Sequence, residues 1–307
     1  MAKQFKPQFG WAPNPRAVNE ILGELKNPLL GPASFAIRGT GKGKVSLLFQ
    51  AVEKLIGKFN TRNQGIGDCV SMGGACSTDV LKAVQIVFGG KPGEWEGETA
   101  TEALYALSRV EIGKGQLGYG DGSYGAWVAQ AVRTYGTLVR KVYGNIDLSK
   151  YSAQRARDWG RPGYGLPDEL EPTSREHLVR TVSLVSTYEE AIDSLTNGYP
   201  IIICSGQGFY QDQYGRVVLD NEGFAKPYGQ WPHCMTLTAS DDAYRRPGCL
   251  VQNSWGDSCT GPTRHSQPAG SFWCDADVIN SILREQDSWA FSNFEGYPPR
   301  KLNWRVL

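Results

Sequence analysis

The sequence predicts an α+β fold in which a helical half precedes a strand-rich half, and three observations carry that reading. From residue 69 to 89, Cys69, Gly73, Cys76, Val80, Val84 and Val87 recur at steps of three and four. This spacing places them on one side of a helix that opens at Cys69 and stops at Gly89-Gly90. Downstream, Tyr199 to Ser205 is a continuous apolar run, and residues 233–240 and 249–253 also read as strands. Between the halves, residues 145–180 are polar and punctuated by Gly160, Pro162, Gly163, Gly165, Pro167 and Pro172, the composition of a crossover.

The 307 residues suffice for one large domain or two small ones with a buried core. With 32 basic and 31 acidic residues the chain has no overall field that would draw it to nucleic acid or to an acidic membrane surface. Seven cysteines stand at 69, 76, 204, 234, 249, 259 and 274, mostly in apolar runs and with no Cys-X-X-Cys pair. The expectation is reduced core thiols, with neither a disulfide framework nor a metal site. No apolar stretch follows the opening Met1-Ala2-Lys3-Gln4-Phe5-Lys6, and no hydrophobic run approaches the roughly 20 residues a membrane helix needs, so a cytoplasmic protein is expected.

Residues 1–57 read as an N-terminal helical extension. A turn-rich start, Phe9-Gly10-Trp11-Ala12-Pro13-Asn14-Pro15, precedes one expected helix over 16–26 and a second over 45–59. Nine basic against three acidic residues among the first 58 make this extension a solvated packing element or a docking arm for an acidic assembly partner. Residues 58–144 form the helical lobe. After the helix at 69–89, helices over 98–110 and 124–135 flank a glycine-rich loop at 113–122 that lacks the Lys-Ser/Thr ending of a phosphate loop. Residues 145–180 cross over to a β-rich lobe at 181–287. There Ser186-Thr187-Tyr188-Glu189 reads as a capping box, Asn197-Gly198 as a helix stop, 220–231 as a loop approaching the cleft, and 270–273 as the end of the sheet. Residues 288–307 read as an aromatic, proline-bearing tail packed on the surface.

The chemistry concentrates on few residues. A turn, Asn63-Gln64-Gly65-Ile66-Gly67-Asp68, delivers Cys69 to a helix N-terminus, where unpaired N–H groups and the helix dipole favour the nucleophilic thiolate. By itself this is more often the setting of a buried core cysteine. Far downstream, Trp231-Pro232-His233-Cys234 and Gln252-Asn253-Ser254-Trp255-Gly256 add an imidazole and an amide. The order Gln64, Cys69, His233, Asn253, with Trp255 following the Asn, resembles the papain-like cysteine peptidases over roughly residues 58–282. The resemblance implies a two-lobed fold, a helical lobe with Cys at a helix start and an antiparallel β-rich lobe carrying His and Asn. It also implies roles: Cys69 as nucleophile, His233 as general base and acid, Asn253 as the amide that orients the ring, Gln64 as oxyanion donor, and Trp255 as cover for the His–Asn bond.

The chain departs from the family pattern in several places. Gln64 precedes Cys69 by five residues where the family has six. Asp68 would cap the helix, and its charge would oppose a thiolate beside it. From Cys69 to His233 is 164 residues, longer than the roughly 130–150 of papain-type enzymes, which an insertion in the crossover accommodates. Nothing in residues 1–57 resembles the family's inhibitory pro-segment, so no activation cut is expected. Two functions follow. One is a thiol hydrolase that cleaves peptide bonds without metal or cofactor. The other is a papain-fold structural or binding protein with weak or no turnover, for example a virion or assembly component.

Overall fold

A computed structural model describes residues 8–90, 94–256 and 259–304. Among them, seven strands form one antiparallel sheet: β1 (Val45–Leu47), β2 (Thr181–Leu184), β3 (Ile201–Phe209), β4 (Pro227–Asp241), β5 (Gly248–Gln252), β6 (Ser271–Asp275) and β7 (Trp289–Ser292). The order across the sheet is β6-β5-β4-β3-β7-β2, and β1 pairs with the far end of β4. Strand β4 is the spine. Its first part pairs with β3, its last part with β1 and β5 on opposite edges. Its 15 residues span both because residues 231 and 233–241 are buried, too apolar a run to leave the sheet. The ladder with β3 is regular up to Ser205 opposite His233 and turns irregular just beyond that pair, as bulged strands often do beside functional sites.

The helices of six or more residues pack on this sheet and on one another. They are α1 (Pro15–Glu24), α2 (Phe49–Ile56), α3 (Cys69–Gly89), α4 (Thr101–Ala106), α5 (Gly125–Thr134), α6 (Ala153–Trp159), α7 (Tyr188–Thr196) and α8 (Ala276–Leu283). Central among them is α3, 21 residues long and buried along most of its length. It meets β4 through Gly73: a Cβ there would lie 2.9 Å from the Cys234 sulfur and 3.3 Å from the Met235 carbonyl. The Thr236 hydroxyl closes the contact by donating to the Gly73 carbonyl at 2.9 Å.

Several sequence expectations change. The helix expected over 45–59 divides into β1 and α2, because Val45, Ser46 and Leu47 find a free edge of β4 and the ladder bonds there outweigh helical periodicity. The helix over 98–110 is α-helical only over Thr101–Ala106 and widens to a π-turn over Leu107–Ile112. The glycine-rich loop has a structural use: the carbonyls of Gly118, Gly120 and Gly122, with that of Gly160, take the buried Arg109 guanidinium. The capping box shifts by one residue, with Thr187 accepting from the Glu190 N–H and Glu190 accepting from the Ser186 N–H at 2.7 Å. The loop expected over 220–231 becomes strand from Pro227 onward.

The largest difference lies at the C-terminus. Residues 289–292 are an inner strand between β3 and β2 instead of surface tail. Trp289 is fully buried, and Tyr297 and Trp304 are nearly so. An inner strand bounded by apolar neighbours on both sides cannot be told from an aromatic tail by periodicity over four residues. Trp289→Ala should therefore cost about 3–5 kcal/mol of stability in urea denaturation, whereas a residue on a surface tail would cost under about 0.5 kcal/mol.

Candidate active site

The imidazole is set first. His233, on β4, is 1% exposed, and its Nε2 lies 2.8 Å from Asn253 Oδ1 at the end of β5. The Ser254 N–H donates to the same oxygen at 2.7 Å, so the carbonyl side of the Asn amide faces the ring. Nε2 then carries the proton and Nδ1 keeps a lone pair, the tautomer in which Nδ1 is the basic atom. Nδ1 is buried and makes no hydrogen bond. Trp255 stacks on the ring with centroids 4.4 Å apart and planes 25° from parallel, keeping water from one face of the imidazole.

Cys69 is fully buried as the first residue of α3. The backbone N–H groups of Cys234, the neighbour of His233, and of Gly10 face its sulfur. Burial pushes the Cys69 thiol well above its ordinary range, and the neighbouring Cys234 adds to this. Burial pushes the His233 imidazole down to about 4, against the opposing pull of the Asn253 bond. Both shifts disfavour charge, so thiol and imidazole are neutral as they stand.

Asp68 holds the N-cap position of α3, but its side chain makes no cap hydrogen bond. It accepts instead from the Tyr151 hydroxyl at 2.9 Å, and that hydroxyl accepts from the Gly65 N–H at 3.1 Å. Burial pushes the Asp68 carboxyl up to about 8, partly offset by the Tyr151 bond. The carboxyl is thus mostly protonated at pH 7, and the repulsion expected from its charge is largely absent below that pKa. Tyr151 comes from the crossover, and no signal in the sequence pairs it with Asp68.

Gln64 is fully engaged. Its amide nitrogen donates to the carbonyls of Gln8 at 3.1 Å and Ile66 at 2.9 Å, and its oxygen accepts from the Ser254 hydroxyl at 2.6 Å. The Gln8 carbonyl also takes the Trp255 indole N–H at 3.2 Å. This is the start of a segment that runs through the cleft. The Phe9 ring stands edge-on to His233 and to Trp255, with centroids 6.4 and 5.8 Å away. The N–H groups of Gly10 and Trp11 donate to the Pro232 carbonyl at 3.3 and 3.2 Å, and the Ser123 N–H donates to the Gly10 carbonyl at 2.8 Å. Gly10 fits because it has no side chain: a Cβ would lie 1.9 Å from the Gly67 carbonyl oxygen. This turn-rich start, part of an extension read from sequence as a solvated packing element or a docking arm, thus lies over the residues the resemblance singles out.

Comparison with solved structures bears on the fold. Xylellain, a cysteine protease from Xylella fastidiosa, matches at a TM-score of 0.59 and 15% identity, over 96% of this chain and 99% of that one. The fold is papain-like. Procathepsin L 3 from the larval midgut of Tenebrio molitor is also similar, at a TM-score of 0.49 and 11% identity over 93% of this chain and 83% of that one. No family model matches the sequence, and no curated protein matches it by sequence. Among the described residues, no helix of the papain-like fold is long and apolar enough to cross a membrane, and six cysteines are buried free thiols.

The Asp68 carboxyl gives a pH test. An acid whose folded pKa is raised binds a proton in the folded state that the unfolded chain has lost, so its contribution fades as pH rises from about 3.9 toward 8. The opposite effect of His233 is confined to the interval between about 4 and 6.5. From pH 6.5 to 8 the wild-type melting temperature should therefore fall by roughly 2 °C more than that of Asp68→Asn. Parallel curves for the two proteins would show a carboxylate that is already ionised at pH 6.5.

Proposed function

We propose that this protein is a papain-like thiol hydrolase that cleaves peptide bonds through Cys69, His233 and Asn253, and that residues 8–11 hold it in a closed resting form. The observation that carries the reading is the His233 ring. It is oriented by Asn253, covered by Trp255, and left with a buried, unpartnered Nδ1 beside the strand residue whose N–H faces the Cys69 sulfur. In the reaction, Nδ1 takes the thiol proton, the sulfur attacks the peptide carbonyl, and the imidazolium gives the proton to the amine as the C–N bond breaks and a thioester forms; Nδ1 then takes a proton from water, whose oxygen attacks the thioester, and returns it to the sulfur as the acid product leaves. The backbone N–H of Cys69 and the Gln64 amide are the oxyanion donors. Departure of Gln8 would release one of the two bonds that now occupy that amide.

The second reading, a papain-fold binding or assembly protein without turnover, draws support from the same segment. A filled cleft and two neutral buried groups are also what an unused site would keep. Covalent labelling separates the two. An epoxide or vinyl-sulfone probe of cysteine peptidases, read by mass spectrometry, should modify Cys69 slowly in wild type and at least about tenfold faster in Gly10→Val, whose side chain cannot fit against Gly67. His233→Ala in the Gly10→Val background should remove most of that gain, since an imidazole base contributes about 10²–10⁴-fold. Equal, slow labelling of all three would favour the binding protein.

A further inference from the structure

Strand β1 has an outer edge that no other strand pairs with among the described residues. Its register sets Val45 opposite Asp241, Ser46 opposite Ser240 and Leu47 opposite Ala239, and the Asp242 N–H donates to the Lys44 carbonyl at 2.8 Å. Residues of an antiparallel ladder alternate between pairs that exchange bonds and pairs that do not. Lys44 and Ser46 therefore turn their main-chain groups to β4, and Val45 and Leu47 turn theirs outward. No main-chain bond reaches these outward groups from another described segment.

The edge borders a groove of about 710 Å³ lined by Lys44, Val45 and Leu47 and, from the C-terminal segment, by Arg300, Lys301 and Trp304. Trp304 is nearly buried and stands edge-on to Phe88, with ring centroids 5.0 Å apart. Among the described residues three cations line the groove and no acid does. Arg300 lies half-buried over the Phe294 ring, and its Nη1 is buried without a hydrogen bond. No described carboxylate pairs with it, and burial lowers its pKa. Such a partly desolvated charge is stabilised by an arriving anion. Asp242, next to the lining residue Ala243, is already engaged by the Gly43 N–H at 2.7 Å and the Tyr188 hydroxyl at 3.0 Å.

Two demands meet in this groove. The cations call for negative charge, and the outward carbonyls of Val45 and Leu47 call for N–H donors at the spacing of a strand. A small anion or a phosphate chain answers the first, and a neutral strand answers the second. An extended acidic peptide answers both. A second copy of the same edge is disfavoured, because lysine at an edge sets like charges together when two such edges pair. We propose that the groove between β1 and residues 299–304 docks an acidic segment of a partner protein. The segment adds to the sheet as a strand beside β1, with its carboxylates on Lys44, Arg300 and Lys301. The basic N-terminal extension contributes Lys44 to this surface, and no residue assigned to the peptide-cleaving site takes part in it.

The test is binding to full-length protein carrying Cys69→Ala, which cannot cleave the probe. It is titrated by fluorescence anisotropy with labelled Val-Glu-Val-Glu-Val-Glu-Val, with a version in which Gln replaces every Glu, and with two versions methylated on either the Glu or the Val main-chain nitrogens. The Glu peptide should bind at least about tenfold tighter than the Gln peptide, and its affinity should fall as salt is raised. One of the two methylated peptides should bind at least about tenfold weaker than its parent, since only alternate N–H groups of a guest strand face β1. Lys44→Ala, or Arg300→Ala with Lys301→Ala, should each reduce the Glu-to-Gln ratio by at least about threefold. Equal binding of the Glu and Gln peptides, full binding of both methylated peptides, or a Glu preference untouched by these substitutions would overturn the proposal. So would tighter binding of a single-stranded oligonucleotide, or a dimer in sedimentation whose formation excludes the peptide. The peptide comparisons are made on an unaltered groove, so they do not depend on how well the variants fold. Absent Cys69 labelling bears on the hydrolase reading alone.

Discussion

The site depends on how closely α3 can approach β4. At Gly73 the helix backbone lies against Cys234 and Met235, with the Thr236 hydroxyl bonded to the Gly73 carbonyl. Gly73 is one turn beyond Cys69, and Cys234 is one residue beyond His233. This contact therefore sets how far the thiol stands from the imidazole. A larger side chain at 73 would have to displace the sulfur of Cys234 or the β4 backbone, and dense packing transmits such a displacement along the helix. The remaining parts of the site are attached to these two elements: Asn253 and Trp255 follow the neighbouring strand β5, and Tyr151 meets the residue before Cys69.

Occupation of the cleft has an electrical consequence as well as a steric one. Residues 8–11 help bury the thiol and the imidazole, and burial is the largest cause of the shifts that keep both neutral. On the proposed reading, removing the segment rehydrates the pair and lowers the cost of charge separation between them. The same departure releases one Gln64 bond and the bond from the Trp11 indole to Asp287. On that reading, one short strip of chain bears on nucleophile and oxyanion donor together, through contacts centred on a glycine.

What the sequence reveals follows the range of the forces involved. The long helix from Cys69 is legible because its buried face repeats locally, and the adjacent strands of His233 and Asn253 are legible as apolar runs. The set Gln64, Cys69, His233, Asn253 and Trp255 is legible only through resemblance to a family, since nothing local brings residues 164 apart into one site. Strand β1 and strand β7 were hidden because each is defined by the edge it pairs with. Tyr151 on Asp68, Gln8 on Gln64 and Trp11 on Asp287 are single long-range hydrogen bonds, and no periodicity or spacing encodes them. The pKa of Asp68 is hidden for the same reason: in sequence it is a charged cap, and in the fold it is a buried acid.

The central claim is that Cys69 and His233 act as one unit which residues 8–11 keep uncharged. NMR titration of the His233 ring protons tests it most directly, in wild type, in Gly10→Val, and in Gly10→Val with Cys69→Ala. The account predicts a wild-type imidazole that stays neutral down to about pH 4. In Gly10→Val its pKa should rise by at least about two units as a thiolate becomes its partner, and most of that rise should vanish when Cys69 is removed. One low pKa shared by all three proteins, or a rise in Gly10→Val that persists without Cys69, would contradict it.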